Sequence, residues 1–131
     1  MSKLNWINKD HSRQSEKCDV ALRLNRNGRT AAGNIKHNVV FRFSANSVKK
    51  IVTNTLYAKC AVDEQRGRVY FTESDVINGY KLICPSMNGE RRHFQISSSD
   101  DDFWAERVGD YNLLFDRDEK LYYLDFSKKL K

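Results

Sequence analysis

Arginine, lysine and one histidine are the side chains whose types and spacing point to chemistry in this chain. Arg23, Arg26, Arg29, Lys36, His37 and Arg42 fall within one short stretch, and Lys81, Arg91 and Arg92 form a second basic set. The planar fork of arginine pairs bidentately with phosphate oxygens or with the edge of a guanine, so both sets are candidate nucleic-acid contacts. The charge balance sharpens this. Residues 1–60 hold 12 Lys+Arg against 3 Asp+Glu, whereas residues 61–131 hold 11 against 14. An anionic partner is therefore expected at the first half. The competing explanation is that these arginines are the solvated side of half-buried strands.

The acidic residues argue differently. Residues 94–126 carry 3 Lys+Arg and 9 Asp+Glu. A duplex presents phosphate along its whole length, so two equivalent DNA-reading halves should both be basic. Asp100, Asp101 and Asp102 are accordingly candidates for meeting a protein, or simply for capping a helix. Tyr122 and Tyr123 are adjacent, so one of them should leave the core, and Tyr122 is taken with the three aspartates as a candidate protein contact. Phe41, Phe43, Phe115 and Tyr70 are expected in the core.

Catalysis finds no footing. His11, His37 and His93 are scattered, and no Gly-rich phosphate loop or G-x-S-x-G is present. Cys18, Cys60 and Cys84 form no C-x-x-C pair and lie at no zinc-ligand spacing from a histidine. The expectation is no catalytic residue, no metal and no cofactor. Cys60 alternates with Ala58 and Val62 and reads as a small packing residue. No apolar run approaches the roughly 18 residues that cross a bilayer, and no secretory signal opens the chain, so a reducing cytoplasmic setting without membrane contact is expected.

The elements that must hold these residues follow from periodicity. Residues 1–18 read as a polar arm. Val20, Leu22 and Leu24 alternate with polar neighbours as a strand. Asn27-Gly28 predicts a tight turn that would set Arg23 and Arg29 on opposite arms. A polar stretch leads to a strand over 39–43, then Ser44 predicts the N-cap of a helix over 45–52. Strands are predicted at 57–62 and 68–72. A second series follows: a strand at 80–84, another at 91–96, a helix capped by Ser98 or Ser99 and stopped by Gly109, and strands at 111–116 and 120–126.

The two series are one pattern repeated. Phe41-Arg42-Phe43-Ser44 returns as Phe94-Gln95-Ile96-Ser97, and Arg68-Val69-Tyr70-Phe71 returns as Leu121-Tyr122-Tyr123-Leu124. Both offsets are 53 (94 − 41 and 121 − 68). A repeated unit that cannot bury its apolar face alone packs against its copy. The expected fold class is α+β: two tandem ββαββ repeats, 19–75 and 76–131, forming a pseudo-two-fold, mainly antiparallel body with two short helices and one shared core.

This order resembles the swapped-hairpin fold of AbrB-like and SpoVT-like DNA-binding domains, present twice in tandem in the MraZ family. Gly28-Arg29 matches the Gly-Arg turn of that family's first hairpin, and Gly89 precedes Glu90 and Arg91 in the second unit. Ser44 and Ser97 stand where the family has Pro, and the 30–38 loop is longer. The resemblance spans about residues 19–126 and implies DNA binding through the basic first hairpin. A small non-enzymatic transcription regulator on double-stranded DNA is thus the leading expectation, with a homo-oligomer allowed. The alternatives are an inhibitor or adaptor, of phage or mobile-element type, acting on a nucleic-acid-handling protein, and a single-stranded nucleic-acid binder.

Overall fold

The computed structural model describes residues 18–29, 33, 35–84, 91–98 and 100–130, with the backbone alone described at 26–29, 35 and 36. The expected arm over 1–18 lies outside these residues, apart from Cys18. Among the described residues, nine strands and two short helices make an α+β fold. The first series comprises β1 (Val20–Arg29), β2 (Ile35–Phe43), α1 (Ala45–Ile51), β3 (Tyr57–Asp63) and β4 (Arg68–Ser74). The second comprises β5 (Tyr80–Lys81), β6 (Arg92–Ser97), α2 (Asp101–Ala105), β7 (Gly109–Tyr111), β8 (Leu114–Asp116) and β9 (Leu121–Asp125), closed by a 3-10 turn at Phe126–Lys128. All pairs among the described strands are antiparallel, in a four-stranded sheet ordered β6-β2-β1-β7 and a five-stranded sheet ordered β5-β3-β4-β9-β8.

Each sheet joins strands of both series. In the first, β2 and β6 pair with Phe41 opposite Phe94; in the second, β4 and β9 pair with Tyr70 opposite Tyr123. Residues 53 apart therefore face each other at both joins (94 − 41 and 123 − 70). The outer strands cross over: β1 pairs with β7, and β5 pairs with β3. The turns after β3 and β8 also agree in detail. Asp63 accepts from the Arg66 amide at 3.2 Å, and Asp116 from the Glu119 amide at 3.1 Å. The left-handed position of each turn is Gly67, with φ 68°, and Lys120, with φ 59°.

The inner faces of the sheets close on one core. Val20, Leu22, Phe41, Phe43, Phe71, Phe94 and Leu124 are each 2% exposed or less. Phe41 meets Phe71 edge-on at 5.1 Å and Phe94 at 5.3 Å, so rings of both series interlock at the centre. Such pairs add about 0.5–1.5 kcal/mol beyond burial. Ser44 caps α1 as expected, accepting from the Ser47 amide at 3.2 Å. Lys49 and Lys50 end that helix, where cations suit its dipole.

Four expectations need correction. β1 runs on to Arg29, so Asn27-Gly28 is not the hairpin turn; it falls where the register shifts between Arg26 and Arg29, a bulge that glycine accommodates. Arg23 and Arg29 thus share one strand. The helix α2 is capped by Asp100 rather than by Ser98, whose hydroxyl donates to Asp101, and Ser99 lies outside the described residues. The strand expected at 111–116 is two strands in different sheets, since the chain crosses between sheets at Asn112-Leu113. Phe115 is 50% exposed on β8, the edge strand of its sheet among the described residues.

Candidate nucleic-acid interface

The β1–β2 hairpin is longer than the sheet that carries it. β7 pairs only with Val20–Leu22 of β1, and β6 pairs with β2 only from Asn38 to Phe43. Beyond the Asn25–Asn38 pair, β1 and β2 continue as a two-stranded ribbon through Arg26 opposite His37 to Arg29 opposite Ile35. Four residues at about 3.3 Å each give the ribbon a reach of ~13 Å. From residue 20 to residue 62 the chain has no Asp or Glu and eight Lys or Arg. Arg26, Arg29 and Lys36 therefore lie at ribbon positions in a stretch without acidic neighbours in sequence.

The base of the ribbon is tied to the second series. His37 Nδ1 contacts the Asp101 carboxylate, whose other oxygen accepts from the Ser98 hydroxyl, and the Ser98 amide donates to the His37 carbonyl at 3.1 Å. The Ser98 hydroxyl, and secondarily His37, hold the Asp101 carboxyl below its usual range. Arg23 is similarly engaged. It donates to Asp110 at 2.8 Å and to the Gly109 carbonyl at 3.0 Å, with side-chain exposures of 34% for Arg23 and 6% for Asp110. Removing Arg23 would strand a buried carboxylate, so it has a structural task whatever else it does.

The remaining predicted residues divide by position. Arg42 is exposed on β2, in register with Ala21 and His93. It lies on the sheet face opposite the core, as does Arg23, because Phe41 and Phe43 take the other parity. Burial first, and the charge of Arg42 second, lower the His93 pKa. Arg91 and Arg92 sit at the start of β6, where Arg92 is opposite Phe43 and donates to the Leu82 carbonyl at 3.2 Å. Lys81 is exposed on β5. Arg42, Arg91 and Arg92 lie at the end of the first sheet away from the ribbon tip, and Lys81 is on the second sheet, so the basic residues form a ribbon group and a base group.

Among the acidic candidates, Asp100 accepts from the Phe103 amide, Asp101 serves the His37 contact, and Asp102 is exposed. Tyr122 is half-buried against Phe115 at 4.9 Å, whereas Tyr123 is on the opposite face beside Tyr70. Neither simply points into water.

That opposite face of the second sheet carries a network the sequence did not reveal. The Tyr70 hydroxyl accepts from Arg66 at 3.2 Å and Arg68 at 3.0 Å and donates to Asp116 at 2.9 Å. The Arg68 guanidinium also lies 4.2 Å from the centre of the Tyr123 ring. The Glu119 amide, with help from Tyr70 and Arg68, holds the Asp116 carboxyl below its usual range. Its members are up to 57 residues apart (123 − 66), so no local spacing signals it. Nor does spacing signal Glu73, whose carboxylate accepts the amides of Thr53, Asn54 and Thr55 at 3.1, 2.7 and 2.5 Å, lowering its pKa to about 2.

No described helix is long and apolar enough to cross a membrane. No protein-family model, curated protein or solved structure matches the chain.

Proposed function

We propose that this chain is a non-enzymatic nucleic-acid-binding protein that grips double-stranded DNA with its β1–β2 ribbon, in the manner of a small cytoplasmic transcription regulator. The observation that carries this reading is the acid-free ribbon reaching past its sheet with Arg26, Arg29 and Lys36 on it. The major groove of B-DNA admits a two-stranded β-ribbon and is ~8.5 Å deep, less than the ribbon's reach. Phosphate contacts from these residues would hold it there, and the His37–Asp101 contact would set its angle to the body.

The same proposal includes the architecture. The two series are tandem ββαββ units related by a pseudo-two-fold axis through the Phe41–Phe94 and Tyr70–Tyr123 pairs, with their first strands exchanged. Three facts support this: the common offset of 53 at both joins, the matched Asp63 and Asp116 turns, and the reciprocal β1–β7 and β5–β3 pairings. The bridge from Ile83 to His93 then corresponds to the Arg23–Val40 pair, with offsets of 60 and 53, so the first hairpin is seven residues longer than the second. Reciprocal exchange of first strands is what an AbrB-like swapped hairpin requires, which favours that resemblance.

Titration of a 20-base-pair duplex between about 50 and 200 mM salt tests the reading. Three phosphate contacts give a slope of log K against log salt near −2.7. The Arg26→Ala/Arg29→Ala double variant should bring it to about −1. A duplex affinity independent of salt, or unchanged in the double variant, contradicts the proposal.

A further inference from the structure

We propose a second binding surface, independent of the ribbon: a pair of adjoining clefts at the β3–β4 turn that receives a lysine- or arginine-bearing segment of a partner protein. The larger cleft, about 550 Å³, has Ala61, Tyr70 and Leu121 as its walls, with Glu64 and Glu119 at its rim. The smaller, about 290 Å³, lies against Phe103 and Trp104, with Asp100 beside it. Val62 and Glu64 line both, so one extended segment crossing the turn would enter the two together.

Charge identifies the occupant. Asp63 and Arg66 also line the larger cleft and pair with each other at 3.6 Å, which leaves Glu64 and Glu119. Neither of these makes an ion pair or side-chain hydrogen bond among the described residues. Counting Asp63, Glu64, Asp100 and Glu119 against Arg66, the clefts carry −3 on a molecule whose net charge is +6. An anionic segment is therefore disfavoured here, and a cationic one is attracted. The Phe103 ring already carries Arg107 at 3.8 Å, and Tyr70 and Trp104 are buried, so the attraction rests on the carboxylates.

The test is fluorescence anisotropy of a fluorescein-labelled hexa-arginine peptide with the full chain at about 50 mM salt, with amide NMR shifts to map the contact. Saturable one-to-one binding is expected, with shifts gathered at residues 61–65, 100–104 and 119–121. The Glu64→Gln/Glu119→Gln double variant should weaken it about tenfold. Both side chains are exposed, so an unchanged melting temperature verifies the fold. Asp102→Asn, exposed on α2 outside the clefts, should change affinity less than about twofold. Absence of saturable binding, shifts elsewhere, or an unaffected double variant overturns the proposal. So does sedimentation showing that the chain oligomerises through these residues, since a second copy would then be the occupant. A hexa-glutamate peptide binding at the ribbon would leave these outcomes unchanged, which separates this surface from the nucleic-acid reading.

Discussion

The strand pairs that open the two series differ in what the described residues show of them. β1 and β2 pair over eight register positions and project past their neighbours. β5 contributes two strand residues and a single bridge, Ile83 to His93, toward β6. The buried ends of both hairpins are alike: Leu22 and Leu82 are each almost fully covered, and Phe41 and Phe94 face one another. The two share a core-forming base, and the part that differs is the extension of β1 and β2 past their neighbours. Arg26, Arg29 and Lys36 all fall in the extension, which is where the proposed DNA contact is placed.

The largest effect should come from breaking the likeness at the centre. Phe41→Ala and Phe94→Ala should each destabilise by about 3–5 kcal/mol, and by similar amounts, because the two rings share one cluster across the join. Urea denaturation checks this; a Phe94→Ala cost far below that of Phe41→Ala would break the equivalence.

Glu73 offers a smaller effect that sharpens the contrast, since its carboxylate tethers the loop after α1 in the first series only. Its folded pKa of about 2 lies below its ordinary 4.5. The carboxylate therefore stabilises the fold above pH 4.5, and the contribution is lost as pH falls toward 2. Glu73→Gln should lower the melting temperature at pH 7, with the gap to the parent closing across that window. A gap that persists at pH 2 would show that the tether is not the carboxylate's doing.

The smallest effects belong to the matched turns. Gly67→Ala should destabilise by about 1 kcal/mol, while Lys120→Gly should be neutral or slightly stabilising, because both positions are left-handed. Opposite signs in thermal melts are expected; like signs would mean that the turns differ energetically.

These contrasts also explain what was legible in the sequence. Strands such as Val39–Phe43 and Arg68–Phe71 announce themselves because apolar residues recur with the period of a sheet, and Ser44 announces α1 because a hydroxyl there has a donor to satisfy. The Asn27-Gly28 pair misled because the residues that make a tight turn also make a bulge. The strand across 111–116 misled because Tyr111 and Leu113 are buried on both sides of a crossing between sheets, so alternation continues through the break. The Arg23–Asp110 pair and the Tyr70 network were invisible because their members meet only after the sheets assemble.

The central claim is most directly tested by converting the first hairpin into the likeness of the second. Residues 26–37 are replaced by Asn-Gly, closing β1 and β2 with a two-residue turn after the Asn25–Asn38 pair. Duplex binding at about 50 mM salt is then compared with that of the parent chain, alongside the melting temperature. The body should still melt cooperatively, and affinity should fall at least about thirtyfold as three phosphate contacts disappear. A folded, ribbon-less protein that binds duplex DNA as tightly as its parent would contradict the claim.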